Sequence, residues 1–256
     1  MPTQQANYTE QINDVSGGWI PTSVPITFLS ADSPSFLVNV NYNVTGTFGV
    51  GMKMQLTHQS SVKNFIITQV TFTGTNTQIN LYGGTDFTLN VTGAITNPAY
   101  SVVKSPFGFN TAPDKWTVET NDTTLRTQST PSGSVWYNNG SIQIVAPIGK
   151  WMGEYDVPAQ AQKDTSSAQI VSIYVTLSTA NNTESNKKWT AVAFMVVPAT
   201  TSQIQSFNTF HRENEIDVSS KTTFFLNEQT DQTNAAAIYF RGDLATIVVR
   251  LRCAYL

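Results

Sequence analysis

Apolar residues alternate with polar residues along most of the chain, and this period of two predicts β-strands. No sustained apolar stripe with helical spacing follows residue 17. In the first half, the alternating segments are 35–40, 51–58, 63–74, 78–84 and 86–92. In the second half, we expect strands near 116–120, 122–130, 141–145, 150–157, 169–178, 189–197, 206–218, 221–228, 235–241 and 244–255. The sequence therefore predicts an all-β protein.

A stretch without periodicity separates the two sets of strands. The segment SPFGFNTAPDK is rich in proline and glycine, which interrupt regular structure. Eight or more closely spaced strands are typical of a β-sandwich or jelly roll. The predicted order is an N-terminal arm at 1–17, a small β-barrel-like domain at 18–104, a linker at 105–115 and a jelly-roll β-sandwich at 116–256.

A glycine pair, Gly83–Gly84, lies between two alternating segments in INLYGGTDFTL. A phosphate-binding glycine loop opens into a helix and places a lysine near the phosphates. Here an alternating segment follows, and no lysine is near in the sequence. The pair therefore predicts a turn between two strands, in which glycine supplies a positive φ.

The segments IVSIYVTL and WTAVAFMVV are apolar on both faces. In an antiparallel sheet, this pattern indicates a second buried surface rather than a face in solvent. We interpret that surface as a subunit interface. Packing between the domain's own sheets is the alternative. The candidate interface residues are Val171, Ile173, Tyr174, Phe194 and Met195.

Charged residues make up only 12% of the chain, against about 25% in an average soluble domain. The net charge is −3, and the 14 Lys and Arg residues are scattered, so we expect no binding to nucleic acid or to a membrane. The N-terminus lacks the pattern of a signal peptide, which predicts synthesis in the cytoplasm. The single cysteine, Cys253, lies in an apolar run and is expected to be buried.

Four segments of the chain read LYGGTDFTL, SPFGFNTAPDKWTV, LSTANNTES and RCAYL. They resemble segments of structural proteins from the tail or virion modules of tailed phages and prophages of Gram-positive bacteria. The resemblance runs from about residue 45 to the end. It implies a virion component made in a bacterial host, such as a tail, baseplate or fibre protein. It also implies that the chain assembles as a homotrimer and contacts other virion proteins.

The segment HRENEID at 211–217 is the most suggestive polar cluster. On a strand, its alternate residues project from one face, about 6.6 Å apart. Two of them could share a cation, but four could not without a bend. The alternative is a solvated acidic strip, or one paired across the sheet with Arg250 and Arg252. We predict no metal or cofactor, and the only candidate ligands are His211, Glu213, Glu215 and Asp217.

Three aromatic residues are candidates for binding a glycan. Trp136 and Tyr137 lie beside a turn in SVWYNNGS, and Trp189 follows the polar loop TESNKK. Sugar rings stack on exposed aromatic faces, while neighbouring polar side chains bind the hydroxyl groups. The alternative is that these rings cover an edge of the core.

Patterns that would support catalysis are weak. A glycosidase needs two carboxyl groups facing each other across a sugar, about 5–9.5 Å apart, whereas Glu154 and Asp156 share one strand face and point in parallel. The two histidines, His58 and His211, belong to no Ser–His or Cys–His pattern. We therefore predict a noncatalytic virion structural protein. The first alternative is a receptor-binding protein that recognises a bacterial cell-surface polysaccharide through loops of the jelly roll, and the second is a polysaccharide-cleaving enzyme.

Overall fold

The structure is a computed structural model, and it does not describe the side chains of residues 163, 169, 195–197 and 204–206. It describes residues 17–86, 88–91, 93–163, 169–197, 204–232 and 235–256. Apart from Gly17, the predicted arm lies outside these residues. Helical structure in the described ranges consists of short 3-10 turns, and none of it is long and apolar enough to cross a membrane. The all-β prediction is confirmed.

The first half of the chain forms a seven-stranded antiparallel sheet. Its strands are β1 Ile20–Pro21, β2 Thr27–Asp32, β3 Ser35–Val40, β4 Lys53–His58, β5 Ser61–Phe72, β6 Thr77–Tyr82 and β7 Ile95–Ser101. They lie in the order β1-β7-β4-β5-β6-β3-β2. The sheet stays open because the edge strand β1 is two residues long and contains Pro21, which has no backbone N–H to donate. The barrel-like description of 18–104 is thus corrected to an open sheet.

The second half forms two further antiparallel sheets. Its strands are β8 Thr117–Asp122, β9 Leu125–Ser129, β10 Gln143–Ala146, β11 Gly149–Lys163, β12 Gln169–Ser178, β13 Ala191–Val197, β14 Ile204–Val218, β15 Thr222–Thr230, β16 Ala235–Arg241 and β17 Ile247–Cys253. One sheet has the order β10-β15-β12-β13. The other has the order β8-β17-β11-β16-β9, with β14 along the remaining edge of β11.

The pairing of these ten strands is nested. The innermost pair is β12 with β13, followed outward by β11 with β14, β10 with β15, β9 with β16, and β8 with β17. Such nesting is that of one long hairpin rolled up so that successive pairs fall into two sheets, which is the jelly-roll arrangement. The prediction of a jelly-roll β-sandwich is confirmed.

The two sandwich sheets bury alternating apolar residues between them. On β17, Ile247, Val249 and Leu251 are fully buried, while Arg250 lies on the opposite face. Each buried aliphatic side chain of this kind contributes roughly 1.5–3 kcal/mol. Cys253 continues the buried row, and burial raises the pKa of its thiol to about 11. The thiol therefore stays protonated and unreactive at neutral pH.

Aromatic side chains join the first sheet to the sandwich. The ring of Tyr82 lies 4.9 Å from that of Trp151 and 5.7 Å from that of Trp116, between ring centres. Trp116 also stacks on Phe109 at 5.1 Å. The predicted linker at 105–115 contains no strand, but it contributes to this buried cluster. The division into two domains stays a prediction.

A buried lysine adds a polar contact at the same junction. Lys53 is 1% exposed and donates hydrogen bonds to the carbonyl oxygens of Gly51, at 3.1 Å, and Tyr255, at 2.7 Å. Its ammonium nitrogen also lies 5.5 Å from the centre of the Phe109 ring. Burial lowers the pKa of Lys53 from its ordinary value. The contact with Tyr255 holds the last residues of the chain against the first sheet.

The glycine pair forms a turn, but the strand expected after it is absent from the described residues 86 and 88–91. Gly84 has a φ of 72°, and a β-carbon there would lie 2.5 Å from the carbonyl oxygen of Lys115. The Thr85 amide donates to that same oxygen at 3.0 Å. The chain after β6 therefore follows the Lys115 backbone instead of returning as a hairpin. Leu89, which alternation placed on a strand, is a buried side chain in the first core.

Candidate binding groove on the four-stranded sheet

The outer face of the sheet β10-β15-β12-β13 carries exposed apolar side chains. Phe194 is 64% exposed, Ile170 58% and Val192 44%. Tyr174 lies opposite Val192, and Ser172 lies opposite Phe194 in the β12–β13 register. We call Ile170, Tyr174, Val192 and Phe194 the outer apolar strip. It faces away from the sandwich interior, so burial against the described residues does not account for it.

The strand register sorts the candidate interface residues into two groups. Val171 and Ile173 point into the sandwich core and are 2% and 0% exposed. They are therefore unavailable to a neighbouring subunit, and their assignment to an interface is corrected. Tyr174 and Phe194 belong to the outer apolar strip. The side chain of Met195 lies outside the described residues.

A groove of about 400 Å³ lies beside this strip. The ring of Trp136 forms one wall, with its centre 6.3 Å from that of Tyr174 and the two rings at 74° to each other. The groove is lined by Trp136, Tyr174, Glu184, Lys187, Thr190, Val192 and Gln229. Its volume falls in the range of about 300–1,000 Å³ that small-molecule sites occupy.

The glycan candidates differ in orientation because neighbouring extended residues point to opposite faces. Tyr137 pairs with Glu228 of β15 through backbone hydrogen bonds, and its ring packs against the core. Trp136 therefore points outward and is only partly buried. Trp189 is 5% exposed, and its carbonyl oxygen accepts a hydrogen bond from the Tyr155 hydroxyl at 2.7 Å. Of the three candidates, Trp136 is the one whose ring lines the groove beside Tyr174.

Asparagine side chains fix the loops around the groove. The Asn227 amide donates to the carbonyl oxygens of Ala180, at 3.1 Å, and Thr183, at 2.8 Å. Its side-chain oxygen accepts from the backbone N–H of Asn182 at 3.3 Å. The Asn182 side chain in turn accepts from the backbone N–H of Asn138 at 2.6 Å. The loop that carries Trp136 is thereby tied to the loop that carries Glu184.

A buried carboxyl group lies under this network. Glu228 is fully buried, and its Oε1 atom accepts a hydrogen bond from the Asn139 amide at 2.8 Å. Burial raises the pKa of Glu228 to about 8, and the hydrogen bond from Asn139 opposes part of this rise. Sequence analysis missed this residue. Its burial could have been predicted, because Glu228 follows Phe224 and Leu226 at alternate positions that point to the same face of the strand.

The predicted acidic strip lies exposed on the outer face of the other sandwich sheet. His211 bonds Asp156 at 2.8 Å, and Lys150 lies 3.4 Å from Glu215 and 3.5 Å from Asp217. Among the described residues, no three His, Cys, Asp or Glu side chains come close enough to hold a metal ion together. The strip is paired with neighbours on β11.

Arg250 and Arg252 bind other carboxylates than those of the acidic strip. Both donate to Oε1 of Glu154, at 2.5 Å and 2.7 Å, and Arg250 also pairs with Glu119. Hydrogen bonds from Asn121 and Arg250 hold the pKa of Glu119 below its ordinary range. Glu119, Arg250 and Arg252 border a groove of about 620 Å³. The Glu119 carboxylate in this groove already accepts from the Arg250 guanidinium, an arrangement that stabilises its charged form.

Comparisons with known proteins give no family. No protein-family model matches the chain, and no curated protein matches its sequence. A structure of the infectious bursal disease virus Gx strain is 11% identical, with a TM-score of 0.23, and the match covers 90% of this chain and 60% of that one. The infectious bursal disease virus VP2 subviral particle is 15% identical, with a TM-score of 0.24 and coverage of 86% and 60%.

A cycloalternan-forming enzyme from Listeria monocytogenes in complex with a pentasaccharide substrate is 11% identical, with a TM-score of 0.19. That match covers 88% of this chain and 20% of the enzyme. The chain thus spans three-fifths of the length of the two viral chains and a fifth of the enzyme. Similarities this weak establish neither a shared fold nor a shared function.

Proposed function

We propose that the chain is a noncatalytic structural subunit of a phage or prophage virion and assembles as a homotrimer. The observation that carries this proposal is the outer apolar strip, in which Ile170, Val192 and Phe194 are 58%, 44% and 64% exposed. Adjoining exposed apolar side chains on a folded domain mark interaction surfaces. The sequence resemblance to tail and virion proteins supports the identity of the particle.

The mechanism of such a subunit is geometric. Among the described strands, β13 pairs only with β12. The backbone N–H and C=O groups along its other edge are therefore not paired with a strand. In a closed ring of three copies, each contact joins two different surfaces. The end of the outer apolar strip formed by Ile170 and Phe194 therefore packs on a second surface of the next copy, and Tyr174 and Val192 at its other end stay open to the groove. The other partners of the ring would be further virion proteins.

Oligomeric state tests the proposal directly. Light scattering coupled to size exclusion, at micromolar protein concentration, should give about three times the 28.0 kDa of one chain. Phe194→Ser should shift the mass to that of the monomer, because it removes the most exposed ring of the strip. Phe107→Ser is the matched control, since Phe107 is 84% exposed but lies far along the chain in the 105–115 segment. A monomeric wild type would contradict self-association, and a trimeric Phe194→Ser would contradict this interface.

A receptor-binding role on the same frame is the second proposal, and the groove beside Trp136 favours it. Three weak sites on one trimer gain avidity for a repetitive polysaccharide. Labelled protein should bind intact bacterial cells saturably, and stripped cell-wall polysaccharide should compete. As a noncatalytic protein, it should release no new reducing ends from that polysaccharide. Absence of binding by folded trimer would leave the purely structural role.

A further inference from the structure

We propose that the groove between Trp136 and Tyr174 is a binding site for a neutral pyranose glycan. This inference names the ligand class and the residues for the receptor-binding role, and it rests on that role. It does not depend on the homotrimer, because the groove is formed within one chain. Its lining comes from three sources, which are the loop before β10, the outer face of the sheet, and the loop between β12 and β13.

The aromatic geometry suits a sugar ring. Trp136 and Tyr174 meet edge to face, at 74° and 6.3 Å. One ring therefore offers its face to the flat apolar side of a pyranose, while the other closes the edge of the groove. Val192, 44% exposed, lies opposite Tyr174 on β13 and extends the apolar floor.

The polar residues of the groove match sugar hydroxyl groups. Glu184 already accepts a hydrogen bond from the Thr190 hydroxyl with Oε1, and a carboxylate has further acceptor positions. Gln229 supplies both a donor and an acceptor, and Lys187 supplies three donors. A hydroxyl can donate and accept, so it can bond to each of these groups.

The charges of the groove select a neutral ligand. Glu184 and Lys187 carry opposite charges and both line the groove. An anionic sugar would meet the Glu184 carboxylate, and a cationic one would meet the Lys187 ammonium. A neutral glycan avoids both penalties and still receives hydrogen bonds strengthened by the charged groups.

The groove is built on ordered elements. Tyr174 and Gln229 lie opposite each other in the ladder between β12 and β15. The loop with Glu184 is tied to β15 through Asn227, and its end forms a 3-10 turn at Lys187–Trp189. A site held by strands and satisfied loops loses little entropy on binding. This preorganisation separates the groove from a chance depression between mobile loops.

Tryptophan accessibility gives a direct test on the full chain. Of the five tryptophans, Trp19, Trp116, Trp151 and Trp189 are at most 6% exposed. Acrylamide quenching therefore reports mainly on Trp136. Neutral oligosaccharides of glucose, galactose and N-acetylglucosamine should be titrated separately, beside polygalacturonate as an acidic probe. We expect at least one neutral oligosaccharide to protect the fluorescence saturably, and polygalacturonate to give no protection.

Variants localise the effect. Gln229→Ala should weaken the binding of the protecting sugar by about tenfold. In calorimetry, Trp136→Phe should still bind this sugar, whereas Trp136→Ala should not. Phe107→Ala, a control outside the groove, should bind as the wild type does. Protection by none of the neutral sugars, or only by the acidic one, would overturn the proposal. Protection that rises with protein concentration alone would also overturn it, and would assign the groove to contacts between copies, leaving the homotrimer intact.

Discussion

Glu228 is an ionisable residue at a buried position among apolar side chains, and this environment makes the free energy of unfolding depend on pH. It lies opposite Val175 on the inner face of the sandwich. The bond from Asn139 uses Oε1, while Oε2 is buried without a hydrogen-bond partner. No ion pair to Glu228 occurs within the described residues, so ionisation would leave an uncompensated charge in the core. The protonated form is therefore the one that fits.

The sign of the pH effect follows from the pKa values in the two states. An unfolded Glu has a pKa near 4.3, whereas burial raises that of folded Glu228 to about 8. Between these values the folded protein binds more protons, so its free energy of unfolding falls as pH rises. The contribution of Glu228 is fully present below about pH 4 and is lost by about pH 8. The loss is at most about 5 kcal/mol.

We expect Glu228→Gln to remove this dependence. The amide keeps an acceptor for Asn139 but cannot ionise, so the variant should be more stable than wild type at pH 9 and show a flatter profile from pH 5 to 9. Urea unfolding at each pH measures it. Glu215→Gln is the control, since Glu215 is an exposed residue of β14. Parallel profiles for wild type and Glu228→Gln would show that Glu228 does not titrate inside the core.

At the scale of elements, the strands of the jelly roll were largely predictable because their signals are local. The segment 169–178 was predicted as a strand and is one, as β12. The alternation that marks a strand and the turn residues that end it lie within a few positions of each other, so a single sequence is enough to locate the strand. Strand β7 was missed because it includes Pro98, a residue that argues against a strand.

Features decided by distant partners could not be predicted. The segment 86–92 alternates like a strand, but the turn before it is held by a hydrogen bond from the Thr85 amide to the carbonyl oxygen of Lys115. Trp136 and Tyr137 look equivalent in sequence, and only the pairing of Tyr137 with Glu228 decides which ring faces the groove. Interface candidates on β12 divided the same way, because burial of Ile173 depends on which side the second sheet lies. Of the residues that line the groove, the sequence offered Trp136 as a glycan candidate and Tyr174 only as an interface candidate.

The loop between β12 and β13 provides a test at this scale. Asn227 is fully buried, and its amide bonds two carbonyl oxygens of that loop. Asn227→Ala leaves those groups unpaired, which costs about 1–3 kcal/mol. We expect faster amide hydrogen exchange at 179–186, with the β12–β15 ladder still protected. Asn121→Ala, on the exposed side of β8, is the control. Unchanged exchange at 179–186 would mean that the loop is held by other contacts.

For the whole molecule, the junction between the first sheet and the sandwich determines how the chain unfolds. Trp116 is fully buried there, stacked on Phe109 and beside Tyr82. The cluster that contains these rings continues into the sandwich core. Two units that share a core in this way lose packing together, so we expect wild-type unfolding to be a single cooperative transition.

Trp116→Ala should separate the two units. Removing a buried tryptophan costs about 3–5 kcal/mol, and here the loss falls on the contact that couples the sheets. We expect calorimetry to show two transitions in place of one. Phe36→Ala is the matched control, because Phe36 is buried in the first sheet's own core. It should lower stability yet keep the transitions coupled through the intact Trp116 contacts. Two transitions in the wild type would show instead that the predicted domains at 18–104 and 116–256 fold independently.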